Sequence, residues 1–180
     1  MHIGYEEEGF TTVRAIEYDK QAVETFEHNN PGVPVFCGDI RKFLDMIETD
    51  KGAREALGRI DAIHTSSPCQ GFSLLNPGGK DDEERNELSF TYPRLLKLTG
   101  ALVGVFENVV GMWSKGSEYL RKILIDCIGM GYQVRVKVLK CMSATEFCFR
   151  SQRNSGTFSH MRVLLSVVVY TTTKHSQRLW

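Results

Sequence analysis

Residues Ser66 to Ser73 read SSPCQGFS. Cys69 sits there between a proline and a glutamine, with Gly71 two residues on. A thiolate is a strong nucleophile, and Pro68 and Gly71 suit a rigid, sharply turned loop that exposes it. A free cysteine is otherwise most often a small buried residue. Glu107 ends an apolar run, ALVGVFENV, where a carboxylate is rare unless paired or employed. Desolvation raises a carboxyl pKa and lets the group act as an acid at neutral pH. Pairing with an arginine or capping the next helix is its structural alternative. Glu17 and Asp39 end two further strand-like runs. In a nucleotide-type fold such acids accept hydrogen bonds from ribose hydroxyls and an adenine amine, although plain helix capping also accounts for them. One thiol and three carboxylates at four strand ends are thus the candidates for chemistry.

The elements that must position them alternate along the chain. A short helix should end at Gly9, and VRAIEYD reads as a strand, rich in β-branched and apolar residues. KQAVETFEHN places Ala22, Val23 and Phe26 at helical spacing, and Asn30-Pro31-Gly32 stops it. VPVFCGD is a second strand. Asp39 can cap the following helix, whose Ile40, Phe43, Leu44 and Ile47 share one face. RIDAIHT is a third strand and feeds the Cys69 motif. Residues 86–99 read as a helix that Pro93 should kink or start. ALVGVFENV has the near-continuous apolar character of a strand buried on both faces. SEYLRKILIDCIGMG carries Leu120, Ile123, Leu124 and Cys127 at helical spacing, and YQVRVKVLK alternates as a strand. This alternation predicts an α/β doubly wound sheet with mostly parallel strands, whose ligand sites lie at the carboxyl ends.

Bulk properties fit one folded domain. The chain has 180 residues, 42% of them hydrophobic and 24% charged, enough to bury a real core. No run of about 18 apolar residues indicates a membrane span. The acidic start, MHIGYEEEGF, lacks the pattern of a secretory signal. Five cysteines without a CxxC pair favour reduced thiols in an intracellular compartment over disulfides or a zinc site. The net charge is zero, yet residues 1–90 hold 18 acidic and 9 basic side chains, and residues 91–180 hold 4 and 13. Either these charges mix on folding, or one face is basic enough to meet phosphate.

Taken together, the residues resemble the cytosine-C5 methyltransferase family, which uses S-adenosylmethionine. Pro68-Cys69-Gln70-Gly71-Phe72-Ser73 is similar to the family's nucleophile motif, and Glu107-Asn108-Val109 to its second catalytic motif. Ala15-Ile16-Glu17-Tyr18-Asp19 resembles the cofactor-ribose strand end, Gly38-Asp39-Ile40 the adenine site, and Arg85-Asn86-Glu87-Leu88 the helix start that touches the cofactor. The resemblance implies a Rossmann-like S-adenosylmethionine-dependent methyltransferase fold. It implies Cys69 and Glu107 as catalytic residues and Glu17, Tyr18, Asp39, Ile40, Pro68 and Leu88 as cofactor-binding ones. It implies Gln70, Ser73 and Asn108 on the substrate side. A cytosine flipped out of duplex DNA would be attacked at C6 by Cys69, with Glu107 at N3, and no metal would be needed. A tRNA cytosine methyltransferase of the same family is the alternative substrate class, and a non-catalytic remnant that binds nucleic acid or a partner is the alternative function. GGKDDEERNELS and FENVVGMW most resemble forms from eukaryotic microbes, which would place the protein in the nucleus.

The pattern has three departures. The family's opening strand and its FxGxGG turn do not occur here. That strand belongs at the centre of the sheet, between VRAIEYD and RIDAIHT. Its loss should cost more than the roughly 5–15 kcal/mol that holds a typical domain together, so a rearranged or unstable sheet is expected unless another segment fills the gap. After Lys140 the expected arginine motif is missing, which divides the chain into a partial catalytic domain, 1–140, and a divergent segment, 141–180. Within that segment RVLLSVVVYTTT has strand character and should supply a later strand of the sheet or, less simply, the central one. Nothing in these residues resembles the family's target-recognition region.

Overall fold

Helix caps and turn residues in the sequence set the local structure. The computed structural model describes residues 2–68 and 86–140, and the backbone of 163–170. These residues divide into two compact units, one of residues 1–61 with 94–101 and one of residues 62–93 with 102–180.

The first unit opens with helix α1 (His2–Glu7), closed by Gly9 at φ +84°. Strand β1 (Ala15–Glu17) leads into α2 (Lys20–Asn29), whose N-cap Asp19 accepts from the Ala22 N–H at 2.9 Å. Of its apolar stripe only Val23 is buried. Strand β2 (Val35–Cys37) pairs in parallel with β1, Glu17 opposite Cys37. Helix α3 (Ile40–Thr49) begins at Asp39, whose carboxylate accepts from the Arg41 N–H at 2.8 Å. Its expected face forms the core of the unit: Phe43, Leu44 and Ile47 are at most 2% exposed, and the Phe36 and Phe43 rings lie 5.2 Å apart. Asp50 ends α3 and caps α4 (Lys51–Ala56) through the Gly52 and Ala53 N–H groups. Arg94 ties its own segment to α3 through Asp45, at 2.7 Å, and Glu48.

The second unit contains β3 (Ala62–Ser66), a 3-10 turn (Leu88–Phe90) and the start of α5 (Thr91–Thr99). Strand β4 (Val103–Val109), α6 (Gly111–Ser114), α7 (Ser117–Gly129), β5 (Gln133–Lys140) and β6 (Val163–Tyr170) follow. The strand order is β3-β4-β6-β5, with β3 and β4 parallel and β6 antiparallel to both its neighbours. Its core joins Tyr92 to Phe106, with ring centroids 5.3 Å apart and both residues fully buried. The stripe on α7 buries Leu120, Ile123 and Cys127, and Gly131 turns the chain out at φ +88°.

Four expectations change. The strands form two sheets, not one, because among the described residues no strand pairs with the outer edge of β1 or of β3. Pairing is only half parallel, because RVLLSVVVYTTT supplies β6, inserted antiparallel between β4 and β5; it takes a later position and not the central one. β4 is not buried on both faces: Gly104, Phe106 and Asn108 are buried, whereas Val105, Glu107 and Val109 are half-buried. The helix expected over 86–99 is divided: Pro93 marks the start of α5 to within two residues, as its third position after the 3-10 turn, within the first turn where a missing N–H costs no helical bond.

Candidate active site

Strand pairing brings Glu107 beside the chain that leads to Cys69. Ser66, the last residue of β3, lies opposite Glu107 on β4. Cys69 is three residues further on in the sequence. Cys69, Gln70 and Ser73 themselves lie outside the described residues; Pro68 is exposed and Leu88 half-buried.

The register sorts the strand residues onto two faces. His64, Ser66, Val105 and Glu107 share one face. The Glu107 side chain is 12% exposed, and its Oε2 lies 3.6 Å from His64 Nε2. Burial pushes the Glu107 pKa up and the His64 pKa down, because each charged form loses water. Glu107 therefore holds its proton to higher pH than an ordinary carboxyl does. Further along the same rows, β5 contributes Arg135 and Lys137, both exposed.

Thr65, Phe106 and Asn108 lie on the opposite face. Asn108 is 4% exposed and its Oδ1 accepts from the Val109 N–H at 2.9 Å. Its Nδ2, like Thr65 Oγ1, is buried without a hydrogen-bond partner among the described residues. Asn108 is therefore not brought to the Glu107 side chain, despite being its neighbour in sequence.

In the first unit, β1 and β2 end side by side and hold the other two acids. Glu17 Oε1 accepts from the Tyr18 N–H at 2.7 Å and the Asp19 N–H at 2.9 Å. These two donors fix the carboxylate at the strand end and leave it exposed, with acceptor capacity for hydroxyl donors. Tyr18 is 77% exposed beside it. Asp39 differs. Both its oxygens are held by the Arg41 guanidinium, with Nη2 at 2.6 Å from Oδ2, and that hydrogen bond lowers its pKa. Asp39 is thus a helix cap and an ion-pair partner, and Ile40 beside it is half-buried. A cleft of about 310 Å³ in this unit is lined by Lys51, Arg54, Leu57, Ile60 and Leu98, none of them a strand-end residue.

A family model, C-5 cytosine-specific DNA methylase, matches residues 1–144. The chain belongs to the C5-cytosine DNA methylase family. It is 33% identical over 142 residues to the Type II methyltransferase M.DdeI of Desulfomicrobium norvegicum, covering 76% of this chain and 32% of that protein. It is 34% identical over 118 residues to M.AquIA of Picosynechococcus, covering 64% of this chain and 47% of that protein. The chain thus spans about a third to a half of the length of these curated relatives. Among solved structures, an E. coli prophage DNA modification methyltransferase superposes with a TM-score of 0.68 at 24% identity, over 91% of this chain and 41% of that one. Spodoptera frugiperda DNMT2 superposes at 0.64 with 19% identity, over 96% and 47%. The fold is therefore a methyltransferase fold. These curated relatives are bacterial and lend no support to the nuclear expectation. Among the described residues, no helix is long and apolar enough to cross a membrane, and no group of three metal-ligating side chains occurs.

Two residues carry more of the site than the motifs indicated. His64 has a readable signal, an imidazole inside an apolar strand two residues before the strand end. Arg41 has a weaker one, a cation two residues after a capping aspartate.

Proposed function

We propose that this chain carries the catalytic part of a DNA cytosine-C5 methyltransferase, which moves a methyl group from S-adenosylmethionine to C5 of cytosine. The reading rests on one observation: the half-buried Glu107, whose pKa burial raises, lies in register with Ser66, the strand end that precedes Cys69 in the sequence. The Cys69 thiolate attacks C6 of a flipped cytosine, forming the S–C6 bond. Glu107 gives its proton to N3 as negative charge builds in the ring, which leaves C5 nucleophilic. When bound, S-adenosylmethionine supplies an electrophilic methyl group. N3 returns its proton to Glu107, and transfer of the C5 proton to a water molecule expels the Cys69 thiolate and restores the C5–C6 double bond.

Glu17, with Tyr18 alongside, would hold the ribose of the cofactor; its exposed carboxylate suits hydroxyl donors. Asp39 would take the adenine amine only by sharing its oxygens with Arg41. Ile40, Pro68 and Leu88 would supply apolar contact to the cofactor, and Gln70 and Ser73 would close over the substrate. Asn108 serves the substrate through the strand end, since its amide faces away from Glu107. Arg135 and Lys137 offer phosphate contacts on the Glu107 face. Residues 1–140 form the catalytic part, and the divergent 141–180 segment contributes β6. Within these 180 residues the fold is incomplete: the FxGxGG strand of the family is not among them.

Trapping with a 5-fluorocytosine duplex and S-adenosylmethionine tests the proposal. The expected result is a denaturant-stable DNA adduct that Cys69→Ser abolishes. An adduct with tRNA alone would move the substrate to RNA. No adduct with either, together with no cofactor binding by calorimetry, would leave a non-catalytic remnant and overturn the proposal.

A further inference from the structure

The Glu107 carboxyl has two oxygens, and one faces a side chain that the reaction has not used. His64 Nε2 lies 3.6 Å from Glu107 Oε2. The two residues sit diagonally on adjacent parallel strands: His64 pairs with Val105, and Ser66 with Glu107. That diagonal puts both side chains on one face, within reach of each other. Neither can turn fully into water, since the side chains are 22% and 12% exposed.

We propose that His64 is a positioning residue for Glu107: its Nε2–H holds Oε2, so that Oε1 is the oxygen that presents the proton to the ring. The inference rests on Glu107 acting at N3. The proton balance is simple. As the S–C6 bond forms, the Oε1 proton passes to N3 and the carboxyl becomes a carboxylate. The Nε2–H then donates to a charged oxygen, and such a hydrogen bond is shorter and stronger than a neutral one. When Cys69 leaves, the proton returns from N3 to Oε1, and His64 has neither gained nor lost one. A catalytic hydrogen bond that is long before substrate arrives and tightens as charge develops is ordinary behaviour. Burial on both sides serves the same end. It keeps the imidazole neutral, so it is a dipole that steadies the carboxylate without withdrawing the proton beforehand.

Two measurements test this separately from the methyl-transfer reading. The first needs no turnover. Nitrogen-resolved NMR of the imidazole in the whole chain at neutral pH is expected to show a neutral ring protonated at Nε2. Glu107→Ala should perturb that nitrogen, while Glu17→Ala should leave it unchanged. A ring protonated only at Nδ1, or an Nε2 signal indifferent to Glu107→Ala, would overturn the proposal even if Cys69 is trapped on DNA.

The second uses the trapping reaction and single-turnover rates. His64→Leu removes the donor and should slow adduct formation about ten- to a hundred-fold, the usual worth of a hydrogen bond to a charged group, with DNA affinity unchanged. His64→Gln keeps an N–H at similar reach and should recover most of the rate. Equal rates in His64→Leu and the parent would overturn the proposal, as would a His64→Gln variant, folded by circular dichroism, as slow as His64→Leu. A parent chain that forms no adduct with DNA or tRNA and binds no cofactor, together with a Glu107-sensitive Nε2–H, would overturn the proposed function and with it the role of His64 at N3, leaving only the contact between the two side chains.

Discussion

The strand ends of the two units treat their carboxylates in opposite ways. At the ends of β1 and β2, Glu17 is exposed and supported by two backbone N–H groups, while Asp39 is held by Arg41 and by the helix it caps. At the ends of β3 and β4, Glu107 is largely withdrawn from water, with an imidazole as near neighbour. The first arrangement fixes charge and suits recognition. The second makes charge costly and suits moving a proton. The residue type is nearly the same in all three places, so the surroundings decide what each can do.

The widest separation between the two regions should appear in rate. Glu107→Gln removes the acid while keeping the shape, and should lower the rate of methyl transfer about 100- to 10,000-fold with little change in cofactor affinity. Glu17→Gln should act the other way, weakening S-adenosylmethionine about tenfold and leaving the rate at saturation nearly intact. Calorimetry together with single-turnover rates checks the pair. If both variants lost affinity and neither lost rate, the two strand ends would not divide recognition from proton transfer.

Stability should separate the regions next. Phe106 is fully buried against Tyr92 on the back of the strand that carries Glu107. Phe106→Ala should cost about 3–5 kcal/mol by urea denaturation. Asp39→Ala loses a helix cap and should cost only about 1 kcal/mol. A result in which the cap variant is the more damaging would mean that β4 is not the better-packed strand end.

What could be read from the sequence follows the range of the forces involved. The α3 face, its Asp39 cap and the stop at Asn30-Pro31-Gly32 are local, and their residues carried the signal. The strands were also legible, since β-branched runs fed each motif. Sheet assembly was not, because it depends on which edges find partners. The antiparallel insertion of β6 sets it against β4, from Val109 opposite Leu164 to Val103 opposite Tyr170, a pairing of residues far apart in the chain, and the alternation along the chain pointed to parallel neighbours instead. In the site, Cys69 and Glu107 stood out by motif. Asn108 faces away from Glu107 for a reason of period alone, since successive strand residues point to opposite faces. His64 was hidden because its significance lies in a diagonal contact to another strand, and Arg41 because its partner looked already employed as a cap.

The smallest effect is also the cleanest in sign. Burial raises the folded pKa of Glu107 above its ordinary value of 4.5, so the folded chain binds that proton more tightly than the unfolded one. Its contribution to stability therefore falls as pH rises through 4.5 towards the raised value. Asp39 has the reverse shift, from 3.8 downward because of Arg41, and its contribution is present above 3.8 and lost as pH falls through the lowered value. Urea midpoints measured from pH 3 to pH 8 should show both. Relative to the parent, Glu107→Gln should gain stability on going from acid to neutral pH. Asp39→Asn should trail the parent at neutral pH and close the gap in acid. If the Glu107→Gln difference curve were flat across that range, Glu107 would titrate as an ordinary surface carboxyl, and the contrast between the two strand ends would reduce to position alone.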